Sequence, residues 1–394
     1  MMLKVTGMSD ADEGTATRPA VLARGWSAAS EPSQILKDLM SGIAGCDNPS
    51  LLAVFVSSHL PADEIVKPLA AAYPNAILVG CTTAGSLAPE LYHAEGAVLI
   101  AFDSDEFSFE TCLLTDLHEF SAVDAREAIE NAYLQLLRKS EPEQENFFAM
   151  LLLDGLARRE EQVAASAYTA LEEVPIFGAS AGDNLNFDAT QIFYRGAVLE
   201  GAALVAIGAS RRRIEVFKIE HFRPTARRVV VTSADPELRV VQTLDAEPAA
   251  EEYARLIGIP VSELTPEVYA GHPLLVRIGG DYHIRAVQKV DAQGALHFYC
   301  AIDTGSVLTL AEPEDMRDNL IENMDRLNER LGGLEGVVCF DCILRRLEAE
   351  RRGIKPDLLD IFDRYGMVGF STYGEQFQFL HLSQTLTGLA IGRA

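Results

Sequence analysis

The sequence predicts an α/β protein of two domains, with β-sheets covered by helices, and three observations carry that prediction. Apolar runs of about four to eight residues alternate with charged stretches of helical character, the pattern of strands lying beneath helices. One unit of strand, helix, strand and glycine loop occurs three times. The chain has 394 residues, 48% of them hydrophobic, which is enough to bury a sizeable core.

From the N-terminus, Met1 to Ala20 holds only Met2-Leu3 and Val5 as apolar pieces, among the acids Asp10, Asp12 and Glu13. It reads as part of an acidic leader, residues 1–25, and not as a signal or transit peptide. The first unit opens with the strand Leu51 to Val56, passes a helical stretch and ends in Ala76-Ile-Leu-Val-Gly-Cys-Thr-Thr-Ala-Gly85. The second opens with Phe148 to Asp154, continues through a helix over Glu160 to Glu173 and ends in Val174-Pro-Ile-Phe-Gly-Ala-Ser-Ala-Gly-Asp183. The third opens with Gly336 to Asp341, passes a longer charged helical stretch over Ile343 to Tyr365, and ends in Met367-Val-Gly-Phe-Ser-Thr-Tyr-Gly-Glu375. The distances from the end of the opening strand to the loop glycine are 23, 24 and 28 positions, so only the last helical stretch must be longer.

After each loop comes another apolar strand: Gly96 to Phe102, Gly201 to Gly208 and Leu386 to Gly392. Gly80, Gly178 and Gly369 are expected to permit tight turns at strand ends. Between the second and third units, the basic run Arg211 to Arg213 precedes a strand over Ile214 to Ile219 and a basic stretch over Arg223 to Arg228. This reads as a domain junction and a candidate hinge. Further strands are expected at Arg227 to Thr232, Leu274 to Ile278, His283 to Val290 and Ala295 to Ala301, with a turn at Asp291-Ala-Gln-Gly294 and a helix over Met316 to Leu331.

The formal net charge of -25 repels phosphate backbones and anionic lipid surfaces, so neither nucleic acid nor membrane is an expected partner. No apolar run approaches the length of about 18 residues that spans a bilayer, and a cytoplasmic location is expected. The six cysteines then read as free, buried thiols, although Cys339-Phe-Asp-Cys342 has the spacing of a redox or zinc pair without a second pair to complete a site.

Gly178-Ala-Ser-Ala-Gly182 matches the G-x-S-x-G nucleophile elbow, which would make Ser180 a hydrolase nucleophile. The helix that motif needs is replaced by the loop-forming run Asp183-Asn-Leu-Asn-Phe-Asp188, and Ser180 holds the same repeat position as Thr82 and Ser371. A structural role shared by three copies explains it, and the chain is not expected to be an enzyme. Phosphate-loop motifs are absent, and none of the eight histidines forms a metal-ligand pair. Polar chemistry concentrates in the third unit: Arg345 and Arg346, then Ser371, Thr372, Tyr373 and Glu375, then His381 and Thr385. Strand ends would gather these around one cleft suited to a zwitterion or carboxylate, which a guanidinium grips through two oxygens. A solvated helix face and an Arg–Glu pair would explain the same residues.

These motifs resemble the FIST family of intracellular sensory proteins. Gly80-Cys-Thr-Thr-Ala-Gly85 and Gly178 to Asp183 are similar to its N-domain motifs; Gly369-Phe-Ser-Thr-Tyr-Gly-Glu375 and Cys339 to Arg346 are similar to its C-domain motifs. The resemblance implies an N-terminal domain over 26–222 and a C-terminal domain over 223–394, the latter divided into a β-rich insert, 223–310, and a ligand-sensing part, 311–394. It implies ligand-binding signal transduction, with a small molecule such as an amino acid as ligand, and no reaction. A subgroup that the chain resembles in layout, the bacterial nitric oxide sensing proteins, binds heme b and controls a separate histidine kinase. On that reading His381 is the first candidate heme-iron ligand and His297 the second, with Arg345 and Arg346 meeting the propionates. The expected partners are a small ligand, a histidine kinase or other signalling protein, and a further copy of the chain.

Overall fold

The computed structural model describes residues 21–93 and 95–393. Residues 1–20 of the expected leader therefore lie outside the described residues, whereas 22–25 belong to the first strand. The first repeat comprises β1 (Leu22–Ser27), α1 (Pro32–Gly42), β2 (Pro49–Ser57), α2 (Ala62–Ala72), β3 (Ile77–Thr83), the hairpin β4 (Ser86–Ala88) and β5 (Leu91–His93), and β6 (Ala97–Asp103). The second follows the same plan with β7 (Phe107–Leu114), α3 (Ala122–Lys139), β8 (Asn146–Leu153), α4 (Glu160–Leu171), β9 (Ile176–Ser180), the hairpin β10 (Ile192–Tyr194) and β11 (Ala197–Leu199), and β12 (Ala203–Ser210).

The third repeat starts at β13 (Ile214–Ile219) and is then interrupted by an insert: β14 (Phe222–Asp235), β15 (Val240–Leu244), β16 (Glu247–Pro248), α5 (Ala249–Ile257), α6 (Pro266–Gly271), β17 (Leu274–Ile278), β18 (Asp281–Arg285), β19 (Val287–Val290), β20 (Leu296–Phe298) and β21 (Val307–Pro313). It resumes with α7 (Met316–Leu331), β22 (Leu334–Cys342), α8 (Ile343–Arg352), α9 (Lys355–Tyr365), β23 (Met367–Thr372), the hairpin β24 (Glu375–Phe377) and β25 (Leu380–Leu382), and β26 (Leu386–Gly392). The longer third crossover is thus two helices, parted at Gly353, whose left-handed backbone ends α8. Gly294 has φ +79°, as its expected turn requires.

Each repeat folds a four-stranded sheet and gives its hairpin to another repeat. The orders are β1-β6-β2-β3-β10-β11, β25-β24-β9-β8-β12-β7 and β13-β26-β22-β23-β4-β5. The second repeat thereby completes the first sheet, the third completes the second, and the first completes the third. In all three sheets the two central strands joined by the helical crossover are parallel and the other pairings antiparallel.

The continuous apolar runs follow from this arrangement, because alternate residues of each strand face two different cores. On β2, Leu51, Ala53 and Phe55 point inward to a core shared by the three sheets, while Leu52, Val54 and Val56 pack beneath α1 and α2. On β8, Phe148, Met150 and Leu152 point inward, and Ala149, Leu151 and Leu153 pack beneath α3 and α4. Phe55, Phe177, Phe340 and Phe370, drawn from all three repeats, meet at the centre; Phe55 and Phe370 have ring centroids 4.5 Å apart. The insert has its own sheet of eight strands and its own core around Val231, Tyr253, Leu296 and Leu308.

Two expectations are corrected. Gly80, Gly178 and Gly369 lie inside β3, β9 and β23 rather than at turns, and none has positive φ. A Cβ on each would strike the carbonyl oxygen of its partner in the adjacent parallel strand, Val54, Leu151 and Cys339 respectively, so glycine there permits close strand approach. The first part of the expected hinge, from Arg212 to Ile219, is built into the body: Arg212 is buried against Glu106 at 2.5 Å, and β13 pairs along its whole length with β26. β13 thus lies on the N-terminal side of the expected 222/223 boundary and pairs within the third sheet.

Candidate functional site

The loops that follow β3, β9 and β23 meet at one end of the three-sheet body. Ala84 N donates to Ser371 O at 2.9 Å and Ser371 N to Gly85 O at 2.7 Å; Gly182 N donates to Thr82 O at 3.1 Å, and Ser180 N to Gly374 O at 2.8 Å. Every pair of repeats is therefore joined there through backbone bonds. Ser180 is fully buried and its Oγ accepts from the Gln376 amide at 3.1 Å, with no histidine bonded to it, so the elbow geometry does not form. The Asx run after it wraps around the Asp183 carboxylate, which accepts from the backbone N–H of Phe187, Asp188 and Ala189 at 2.9, 2.7 and 3.2 Å.

The residues singled out in the third repeat separate into three groups. Arg346, near the start of α8, donates to Ala84 O at 3.0 Å, to Asn184 Oδ1 at 3.2 Å and to Glu350 at 3.1 Å, while its buried Nε has no partner. Gly85 lies against it, since a Cβ there would stand 3.2 Å from that Nε. Ser371 Oγ and Ser86 Oγ, on the residues paired with or next to Gly85, are also buried without partners. Tyr373 closes this group: its hydroxyl donates to Asp183, accepts from Leu185 N at 2.7 Å, and its ring stacks on Phe187. Burial raises the Tyr373 hydroxyl well above its ordinary value, and the Asp183 carboxylate adds to that rise.

Arg345 points the other way from Arg346, as adjacent helical residues must. Its guanidinium bonds Asp341 at 2.6 Å and His221 Nδ1 at 2.6 Å; Tyr92 donates to the other Asp341 oxygen, and His221 Nε2 faces Glu348 at 2.9 Å. Burial lowers the affinity of His221 for a proton, the Arg345 charge lowers it further, and the Glu348 bond opposes both. The ring is then neutral, able to accept from Arg345 at Nδ1 and donate to Glu348 at Nε2.

Glu375 forms the third group with Thr372 and Thr385, whose hydroxyls both donate to it, at 2.8 Å from Thr385. Thr385 N donates to the same carboxyl at 3.2 Å. Burial is the main cause that lifts its pKa to about 8. Here Glu375 braces β23 against the turn into β26 and faces no open cleft.

His381 sits apart from these groups, fully buried between the insert and the body. Its Nδ1 is 3.1 Å from the Gln376 amide, its Nε2 is 4.0 Å from Glu160, and it contacts the Cys300 thiol. His297 lies on β20 in the insert, bonded to Asp291 at 3.1 Å and partly exposed. In this arrangement the His381 ring is buried with Gly374 packed so closely on it that a Cβ would collide with it, and Arg345 is bonded to Asp341 and His221. Among the described residues, no three His, Cys, Asp or Glu side chains gather as metal ligands. A surface groove of about 720 Å³ between Leu134, Phe147, Glu172 and Ile214 includes none of these groups.

The sequence did not single out Ala84, Asn184, Tyr92, His221, Glu348, Cys300 or the Glu160–Glu161 pair. Only Ala84 and Asn184 carried a signal, as parts of the Gly80–Gly85 motif and the Asx loop; the others are joined to the site by contacts between residues far apart in the chain, or by burial that one sequence does not reveal.

A family model described as the FIST N domain matches residues 50–247, and one described as the FIST C domain matches 249–378. An uncharacterized protein, MJ1623, from Methanocaldococcus jannaschii is 24% identical over 282 residues, 67% of this chain and 54% of its own length. The chain thus spans about half the length of that relative. A crystal structure of cyanuric acid hydrolase from A. caulinodans aligns over 49% of this chain and 72% of its own with 10% identity and a TM-score of 0.29, a likeness too low to carry an argument. No helix among the described residues is long and apolar enough to cross a membrane.

Proposed function

The chain belongs to the family of paired FIST N and FIST C domains, sensory modules that bind ligands in signalling proteins, and on that premise we propose that it is a non-catalytic intracellular receptor for an amino acid or small carboxylate held at Arg346. One observation supports this reading above the others. A buried guanidinium with a spare N–H stands where the loops of the repeats meet, against Gly85, whose carbonyl accepts from the backbone N–H of Ser371, a residue whose own hydroxyl is buried without a partner. Buried polar groups are costly without partners, so these are the groups whose satisfaction by a ligand would contribute most. A carboxylate accepts from a guanidinium and from hydroxyls alike.

The Asn184–Phe187 segment covers the group. Asn184, Leu185 and Phe187 all hold positive φ, of 56°, 67° and 57°, a backbone that costs a non-glycine residue about 1 kcal/mol or more each. Phe187 is exposed over Tyr373. Opening of this cover admits the ligand in our reading. Helix α8 supplies the output, since its residue 346 reads the loops while residue 345 holds His221 at the root of the insert. A ligand that prefers one setting of α8 shifts the population of insert positions. A separate histidine kinase or other signalling protein then senses the change.

Thermal unfolding in the presence of amino acids and dicarboxylates tests this. At a hundredfold excess over Kd, the effective ligand is expected to stabilise the protein by about 2.7 kcal/mol, and Arg346→Met to abolish the shift while remaining folded. Equal shifts in both proteins would place the ligand elsewhere. Heme added and then removed by desalting is expected to leave no Soret band; a band lost in His381→Ala would overturn the heme-free reading.

A further inference from the structure

The cluster between insert and body holds the reactive side chains that the proposed ligand site does not use. Cys300, two residues past β20, contacts His381 of β25, and its Sγ lies 3.9 Å from Ser383 Oγ. Glu160 and Glu161, at the start of α4, are gripped together by Arg239 of the insert at 2.6 and 2.9 Å. Glu161 also accepts from the backbone N–H of Ala301, next to the cysteine, at 2.9 Å. Arg285, itself buried, lies close enough to the thiol to act on it electrostatically.

This setting separates Cys300 from the other thiols. Burial raises Cys46, Cys81, Cys112, Cys339 and Cys342. For Cys300 burial acts the same way, but the His381 charge and hydrogen bond, with Arg285, outweigh it and hold the thiol below its ordinary value. Burial likewise opposes the charge on His381, yet Cys300, Glu160 and Glu161 lift it to about 9. Hydrogen bonding agrees independently. Gln376 Oε1 is buried without a partner while its Nε2 faces His381 Nδ1 and Ser180 Oγ, both at 3.1 Å. A charged imidazole carries a hydrogen on Nδ1, and turning the amide end for end brings the idle oxygen to accept it.

A cleft of about 480 Å³ is lined by Arg285, Ala301, Ile302, Asp303 and Val307 among others, with Cys300 and His381 themselves buried behind this wall. Arg285 and Ala301 thus border both the cleft and the thiol.

We propose that Cys300 and His381 form a reactive thiol–imidazole pair that reduces small hydroperoxides entering through this cleft, and that the resulting sulfenic acid loosens the insert from the body. The Cys300 thiolate attacks the terminal peroxide oxygen; the O–O bond breaks as the S–O bond forms, and the departing alkoxide takes the proton of the His381 imidazolium. Sulfur loses two electrons and the peroxide gains them, leaving a Cys300 sulfenic acid, a neutral imidazole and an alcohol. The added oxygen has to be fitted into a packed interface from which the thiolate charge opposing His381 has gone.

The test is treatment of the intact protein with equimolar tert-butyl hydroperoxide, trapping with dimedone and mapping of the adduct by peptide mass. Cys300 is expected to be labelled ahead of the other five cysteines, and hydrogen exchange across 222–313 to rise on oxidation. His381→Gln is expected to slow labelling by about tenfold or more while its unfolding temperature shows that it folds. Labelling of another cysteine first, or a Cys300 that stays reduced in the folded wild type, overturns the proposal without any variant. An unchanged rate in folded His381→Gln overturns the role of the imidazole.

Discussion

Glu375 is the residue where pH acts most directly on the fold. Its carboxyl is held near 8, mainly by burial, against an ordinary value of 4.5. Between those values it is protonated in the folded chain and ionised in the unfolded one, so the folded state binds the extra proton and stability falls as pH rises, by up to about 1.4 kcal/mol per unit. Glu375→Gln keeps the shape and the acceptor for Thr385 and is expected to flatten this slope between pH 5 and 8 in urea unfolding; an unchanged slope would show that the carboxyl is ionised in the fold. Arg345 works in the opposite sense, as a charge the core requires. Arg345→Met leaves Asp341 buried with only Tyr92 as side-chain donor and is expected to cost about 3–5 kcal/mol. The double variant with Asp341→Asn should cost less than the sum of the two single changes, measured in the same unfolding experiment.

At the scale of the element, the central strands are defined by what their glycines leave out. Gly369→Ala would drive a methyl into the Cys339 carbonyl of the paired strand, and is expected to cost about 3 kcal/mol or more in chemical unfolding. Gly271→Ala, at the end of α6 with no atom within 4 Å, is the control and is expected to be neutral or stabilising by about 0.5 kcal/mol. Equal effects would mean that the strands separate readily at this point. The three hairpins share one logic: each leaves its own sheet after the glycine strand and pairs with the matching strand of another repeat, β4 with β23, β10 with β3 and β24 with β9. None of the three sheets is complete without a hairpin from elsewhere in the chain.

For the whole molecule, the insert enters and leaves the body at one place, since Phe222 at the start of β14 pairs with Pro313 at the end of β21. Its replacement by a short glycine–serine linker is therefore expected to leave the three-sheet body folded, as judged by circular dichroism and a cooperative thermal transition. In that shortened protein His381 loses Cys300, the strongest group raising it, and its titration followed by nuclear magnetic resonance should fall from about 9 towards the ordinary histidine value of 6.5. A body that fails to fold would show that the insert supplies part of its stability; a His381 still titrating near 9 would show that Glu160 and Glu161 alone hold the charge.

Local pattern alone determined that the chain is α/β, that it repeats three times, and where most strands and the helix Met316–Leu331 lie. Periodicity and spacing are properties of neighbouring residues, so one sequence displays them. It also marked Ser371 and Tyr373 together, because the chemistry of a strand-end loop is written in nearby letters, and Arg346 with them as part of the same repeat. Only the tertiary structure decided that Arg345 and Arg346 serve different groups, that the glycines mark close strand approach rather than turns, and that His381 faces a thiol instead of an open cleft. Those outcomes depend on contacts between residues far apart in the chain, such as Arg346 with Ala84 and His381 with Glu160. The exchange of hairpins has the same origin, since a hairpin's sequence specifies its turn and its apolar face but not which free sheet edge it meets.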